Sequence, residues 1–579
     1  MNRFSDFDHY IQEAMASWHC PGVAIAIVKE DEILHQNVYG RCDLDNNLPL
    51  TADTRFAMAS VTKSVTAMSV ALLVDEGKLA WDKPVREYMP EFILDDPYVT
   101  QHVTVRDMLS HRTGLPRHDW AAWRLDISRA EFIKRMRHLK FNLTFREEFQ
   151  YNNLMYYAAA YLVEKIAEQK WEEFVHDRIF VPLGMTASNF QPEPPQSDQF
   201  NAIGYRVDRD EEGGAKGLLP MRFGRHTELS PGAAGALFST LADLTRWLKL
   251  HVNQGHVAEA QFIAPHNLRQ MHQPQMVLPG DSVSEALFGS TIAAYGMGWM
   301  VKPYNGRTLV YHGGNVEGHS LVIGFAPQEK VGVVALTNIA GLPLRDVLLY
   351  EGLDRALDTP DKDWNGRFHK VFDPFIIGEA KGKQTAAAEK VSDAPPTHPL
   401  AAYLGEYEAD GYPDFAVRQT EDGLQARTVG SLPWTTLRHY HYNLFEWHWT
   451  DFDAWLKISF QINDNGEVDA VSVPIEPAVD NIIFKRKQPE LSEPIIAALV
   501  GVYQFEIEGL TIAITASEGK LYAAQSGAAA EEIACYKLTD NLAGFTVERA
   551  RLDFVYGDDP VTLLLKMPGM TLEGRHKGA

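Results

Sequence analysis

An α+β fold is predicted for the first 376 residues, followed by two small antiparallel β domains. Three observations carry this. Strand character appears in a hairpin near the N-terminus and returns only after residue 295, so one antiparallel sheet is assembled from both ends of the region. Between about 120 and 255 apolar residues recur at helical spacing, which places an inserted helical subdomain beside helices that flank the sheet. Beyond residue 376 the composition changes and a short pattern repeats at an offset of about 96 residues.

In order, residues 3–17 predict a helix. Pro21-Gly22 introduces a strand over Val23 to Lys29, and Ile33 to Tyr39 returns beyond the turn at Asp31. Asp45-Asn46-Asn47 is a loop. Ser60 to Glu76 carries Val61, Val65, Met68, Leu72 and Leu73 at turn spacing and stops at Gly77, as a helix does. Pro84 and Pro90 make Asp82 to Phe92 irregular. Val103 to Ser110 is a short helix capped by Thr104, ending in the turn His111 to Pro116. Helices are expected over Arg129 to Leu139, Met155 to Gln169, Trp171 to Val181 and Leu241 to His251. Strands are expected over Gly296 to Val301, Thr308 to His312, Ser320 to Phe325 and Val331 to Thr337, and a closing helix over Arg345 to Leu357. The loops 187–230 and 275–294 carry no readable pattern.

Residues 377–398, with Pro395-Pro396 and little periodicity, are expected to link the first domain (1–376) to β domains at 399–488 and 489–579. Leu400-Ala401-Ala402-Tyr403-Leu404-Gly405-Glu406-Tyr407 parallels Ile496-Ala497-Ala498-Leu499-Val500-Gly501-Val502-Tyr503. The same offset pairs Asp422-Gly423 with Glu518-Gly519 at hairpin turns, which marks a duplication.

With a formal net charge of −23 over 579 residues, the chain gains no counterion-release energy from nucleic acid and is repelled by anionic membrane surfaces. Three cysteines are too few for a disulfide framework. No stretch approaches 18 uninterrupted apolar residues, and the first residues lack the apolar run of a secretory signal. The expectation is a soluble, cytoplasmic protein with a small-molecule or short-peptide substrate, no nucleic-acid or membrane partner, and self-association left open.

Ser60 and Lys63, three positions apart, share one helix face. A Ser hydroxyl is a poor nucleophile until its proton is removed, and a desolvated amine can remove it; the helix N-terminus adds free N–H groups. By themselves these residues fit a helix cap better than a catalytic pair. In Phe149-Gln150-Tyr151-Asn152-Asn153, Tyr151 can exchange a proton with Ser60 if an adjacent ammonium lowers its pKa, and Asn153 can bond both Lys63 and a substrate amide. In Tyr311-His312-Gly313-Gly314-Asn315, the paired glycines let an extended substrate lie along a strand, and the N–H groups of Asn315 and Ser60 could form an oxyanion hole. There is no Gly-x-Ser-x-Gly elbow, and Gly378 to Lys383 is one residue short of a phosphate loop. His439 and His441 suit aromatic packing with Tyr440, Tyr442, Trp447 and Trp449 better than a metal site; no metal or cofactor is expected.

In this order the three stretches resemble the penicillin-recognising serine hydrolases: class C β-lactamases, DD-peptidases, D-aminopeptidases and related esterases. The resemblance spans roughly residues 8–358 and includes Leu109 to Leu115, Gly235 to Thr240 and Tyr295 to Trp299. It implies a β-lactamase/transpeptidase-like fold in which Ser60 is acylated, Lys63 and Tyr151 shuttle its proton, and Asn153, His312, Gly313 and Gly314 bind substrate. His312 stands where β-lactamases usually carry Lys; an imidazole is charged only in part near neutral pH, so the resemblance leans toward D-specific peptidases and aminopeptidases. The trailing repeats resemble lipocalin-like β-barrel domains of that group, which can cover the cleft and restrict substrates to short peptides. The implied activity is hydrolysis of small peptides or amides with a D-residue near the cleaved bond. The alternatives are a carboxylesterase and a ligand-binding relative without turnover.

Overall fold

The computed structural model describes residues 3–190, 201–210, 212–221, 227, 229, 232–360, 362–385, 390–450, 454–488, 490–539, 542–547, 550–556, 561–567 and 569–577. They form two compact units, Met1–Leu404 with Glu408–Phe484, and Gly405–Tyr407 with Lys485–Ala579.

The first unit is built on a nine-stranded antiparallel sheet. Its spatial order is Met276–Val277, Ala294–Tyr295, Met300–Tyr304, Arg307–Val316, His319–Ala326, Val331–Thr337, Gly22–Lys29, Glu32–Asp43 and Leu48–Pro49. The N-terminal hairpin joins the later strands through pairs running from Val23↔Thr337 to Lys29↔Val331, so both ends of the domain do meet in one sheet. The three central strands are buried nearly throughout, which requires helices on both faces. On one face Phe7, Ile11 and Trp18 of the N-terminal region and Leu344, Val347 and Leu348 of the Leu344–Leu357 helix pack on Val23, Ile25 and Val333. On the other, Leu248 of the Leu241–Val252 helix sits where a Cβ on Gly332 would be, 2.6 Å from its Cδ1.

The Thr62–Asp75 helix is buried on every side as far as Leu73, including its polar Thr62, Lys63, Ser64, Thr66 and Ser69. Each of those hydroxyls therefore needs an internal partner, and Ser64, Thr66 and Ser69 donate to carbonyls of Val61, Ala233 and Thr66. Thr104 caps the Val105–Leu109 helix in a reciprocal box with Asp107.

Three expectations shift. The strand expected over Gly296 to Val301 is interrupted: Gly296 to Trp299 make a turn, because Gly298 is left-handed (φ +77°) and lies against the backbone of Lys63 and Ser64. The helix expected over Trp171 to Val181 widens to a π-turn over His176–Phe180, ahead of Pro182. A helix spans Trp364–Thr385 and so crosses into the segment expected to be a linker. Residues 386–389 of that segment and much of 187–230 lie outside the described residues; within the latter, Gly204–Arg209 and Ala215–Met221 form a hairpin.

Both repeats form closed eight-stranded antiparallel barrels. The strands of the first begin at Gly405–Glu408 and end at Ile482–Arg486; those of the second begin at Gly501–Phe505 and end at Met570–Lys577. The second closes through Val502↔Lys577 to Phe505↔Gly574. Closure removes the open edges that short β domains otherwise expose. Among the described residues no helix is long and apolar enough to cross a membrane.

Candidate active site

Ser60 lies in a 3₁₀ turn, Ala59–Val61, that leads directly into the Thr62–Asp75 helix. Ala59 is left-handed, φ 44°, an uncommon state for a residue with a Cβ. The turn is held from two sides. Leu237 accepts the Met58 N–H (2.7 Å) and gives its own N–H to Thr62 Oγ1 (3.2 Å). The Arg307–Val316 strand presses on it through Gly314, where a Cβ would lie 2.5 Å from Met58 O and 3.2 Å from the Ser60 nitrogen. Gly314 thus seats the Ser60 turn itself, a packing need its sequence position did not disclose.

Lys63 is fully buried. Its Nζ stands 3.1 Å from Ser60 Oγ and donates to Ala234 O at 2.9 Å. It also lies 4.8 Å from the ring centre of Tyr151. Burial, reinforced by the nearby Arg117 guanidinium, holds the amine well below the usual lysine range. Tyr151 donates its hydroxyl to Ser60 Oγ at 2.8 Å. The expected lowering of the Tyr151 phenol by an adjacent ammonium does not occur: burial pushes it upward, against the opposing pull of its Ser60 bond and of Arg117, so it stays protonated at neutral pH. The serine oxygen therefore sits between a basic amine and a protonated phenol.

Tyr151 is placed by its neighbours rather than by a regular element. The buried Asn152 side chain accepts the Met155 N–H at its Oδ1, at the start of the Leu154–Ala167 helix, and its Nδ2 donates to Leu115 O (3.1 Å) and Pro116 O. The Asn152 N–H donates to His111 Nδ1 (3.0 Å), whose ring packs against Tyr151 with centroids 4.4 Å apart. Asn153 donates to Asp119 Oδ1 at 2.9 Å, while Lys63 Nζ is bonded to Ser60 and Ala234. Asp119 also accepts from Arg117 Nε at 2.8 Å.

His312 corrects the expectation of a partly charged imidazole. It is 1% exposed, and burial together with Lys63 pushes it down to about 3. Its Nδ1 is 2.7 Å from Gly313 O and its Nε2 is 2.9 Å from Tyr295 OH. A neutral ring satisfies both when Nδ1–H donates to the carbonyl and Nε2 accepts from the phenol. Gly313 lies against the Arg345 guanidinium, which donates to Gly314 O and Leu321 O. Asn315 is exposed, and its side chain accepts from Ser320 Oγ.

A cavity of about 190 Å³ opens onto this group. Ser60, Asn153 and Asn315 line it, together with the charged Arg117 and Asp119 and the aromatic Trp120, Trp123, Tyr157 and Trp449. Sequence reasoning missed Arg117, Asp119, Trp120, Trp123, Asn152 and Tyr295. For Arg117, Asp119, Trp120 and Trp123 the only advance signal was a cluster of charged and aromatic residues directly after the turn at His111 to Pro116, whereas Asn152 and Tyr295 lay inside stretches singled out for other residues. A larger cavity, about 850 Å³, lies at the sheet edge among Leu268, Val277, Ile292 and Val301; its lining holds no serine or cysteine, so the chemistry belongs to the smaller one.

The family model described as Beta-lactamase matches residues 7–356, which span the sheet, Ser60, Lys63, Tyr151 and His312. The chain belongs to the Beta-lactamase family. It is a serine hydrolase of that family. A second model, a domain of unknown function (DUF3471), matches residues 389–484, where the first barrel lies. Among curated relatives, Unguisins hydrolase ungD' of Aspergillus campestris is 28% identical over 437 residues, covering 72% of this chain and 78% of its own length. Protein flp of Staphylococcus aureus is 23% identical over 340 residues, 57% of this chain and 62% of its own length. Among solved structures, the octameric penicillin-binding protein homologue from Pyrococcus abyssi superposes with a TM-score of 0.53 at 25% identity, covering 83% of this chain and 99% of its own.

Proposed function

We propose that this Beta-lactamase-family hydrolase cleaves small peptides or amides through an acyl-enzyme on Ser60, preferring a D-residue on the acyl side. The observation that carries it is the position of Ser60 Oγ, 3.1 Å from a buried amine and 2.8 Å from a protonated phenol at the mouth of a small cavity. The Ser60 oxygen attacks the carbonyl carbon and its proton passes to the neutral Lys63 amine. The oxyanion is received by the backbone N–H groups of Ser60 and Asn315. Tyr151 O–H protonates the departing nitrogen, and the Lys63 ammonium restores the phenol. Water then attacks the ester; its proton passes to Lys63, and Ser60 recovers a proton as the acid leaves.

The cavity volume, below the roughly 300–1,000 Å³ of drug-sized sites, suits a single residue rather than a folded chain. The D-preference rests on the motif resemblance, with a neutral His312 in place of a permanent cation. The Aspergillus relatives named as unguisins hydrolases support hydrolysis as the activity. Self-association is part of the same reading, supported by the octameric homologue. Turnover of paired D- and L-amino-acid amides and matching methyl esters by wild type and Ser60→Ala tests the reading. Faster D-amide turnover that is lost in the variant is expected. Ester turnover exceeding every amide by orders of magnitude would replace it with a carboxylesterase.

A further inference from the structure

The aromatic lining of the Ser60 cavity is assembled from two domains of the first unit. Trp120 and Trp123 follow the turn after Pro116, whereas Trp449 ends the Leu444–Trp449 strand of the first barrel. Trp120 packs 4.5 Å from Trp449 and 5.3 Å from Trp447, ring centre to ring centre. Trp447 is itself fixed inside the barrel, donating its indole N–H to Thr435 Oγ1 at 2.8 Å and packing edge-on against Phe415.

The same barrel clamps the segment that carries the other two tryptophans. Glu476 accepts the His118 N–H at 2.6 Å, Tyr412 OH lies 2.6 Å from His118 Nδ1, and Ser431 Oγ donates to the Trp123 carbonyl. His118 is left-handed, φ 43°, and buried, so this segment depends on those partners for its path.

We propose that the first barrel builds one wall of the acyl pocket, and that Trp449 with Trp120 and Trp123 selects an aromatic or bulky apolar side chain on the residue whose carbonyl Ser60 attacks. The inference rests on the serine-hydrolase reading and adds the side-chain class. Flat indole faces give large apolar contact with little rotamer entropy to lose, and Arg117, Asp119 and Asn153 in the same lining remain for the substrate's polar groups. Replacing a benzyl group by methyl forfeits that contact, so selectivity and not only rate depends on a residue far along the chain.

The test is inactivation by diphenyl phosphonates bearing a benzyl or a methyl side chain, each in both configurations. Ser60 Oγ forms the bond to phosphorus, phenoxide leaves and takes the serine proton, and intact mass reports the adduct. In wild type the benzyl reagent is expected to react at least about tenfold faster than the methyl reagent. Trp449→Ala is expected to lower that ratio about tenfold and Trp449→Phe to retain most of it. Trp123→Ala, at a half-exposed position, repeats the test if Trp449→Ala does not fold. A ratio near one in wild type, or one unchanged in the alanine variants, overturns the proposal while a fluorophosphonate adduct on Ser60 leaves the hydrolase reading standing. Absence of any adduct from either reagent class removes both.

Discussion

Replacing Lys63 by Met probes the buried amine with little change of volume. In wild type the side chain is fully buried, and its ammonium form is disfavoured first by burial and then by Arg117. Methionine removes the base but leaves Ala234 O without its donor, a loss of about 1–3 kcal/mol for a buried group. Removal of a polar group from a dry site offsets part of this, so the net stability change is expected within about 2 kcal/mol of zero. Activity is expected to fall far more, by roughly 10²–10⁴, the usual contribution of a positioned base. The assay is the second-order rate of fluorophosphonate labelling at Ser60, followed by intact mass beside a thermal melt. The sign of the pH effect follows from the depressed pKa. The wild-type rate rises with pH through the folded value of Lys63, below the free-lysine value of 10.5, and the Met variant lacks that limb. Between those two values unfolded Lys63 binds a proton that the folded one does not, so wild-type stability rises with pH relative to the variant. Labelling within tenfold of wild type in Lys63→Met would refute Lys63 as the base.

Tyr151→Phe removes the donor to Ser60 Oγ and is expected to lower amide turnover by about 10²-fold or more with the fold intact; steady-state kinetics and a melt decide this. Gly314→Ala drives a Cβ to 2.5 Å from Met58 O, so a loss of about 1–3 kcal/mol is expected in denaturant unfolding together with slowed Ser60 labelling. His312→Lys places a cation in a fully buried site beside Lys63; a lowered melting temperature is expected rather than gained penicillin turnover, and an unchanged melt would contradict it.

What could be read in advance was what lies close along the chain. Ser60 and Lys63 are one turn apart, and the run from Gln150 to Asn153 precedes a strongly periodic helix, so both motifs stood out locally. Residues 321–326 and 331–336 of two sheet strands are continuous apolar runs, which announce two covered faces. The burial of His312 was not legible, because it depends on which strand face turns inward and on Tyr295, 17 residues earlier. Nor was the tryptophan wall: Trp120 meets Trp449 across 329 positions, and the spacing of either says nothing about the other. The turn at Gly296 to Trp299 escaped notice because close packing of Gly298 on Lys63 and Ser64, not local preference, breaks the strand.

The central claim is that Ser60 is the nucleophile. Intact-mass analysis with peptide mapping after fluorophosphonate exposure tests it most directly, with Ser60→Ala treated in parallel. One adduct on the peptide containing Ser60, absent from the variant, is predicted. An adduct that persists in Ser60→Ala, or a folded wild-type protein that takes none, would contradict the account.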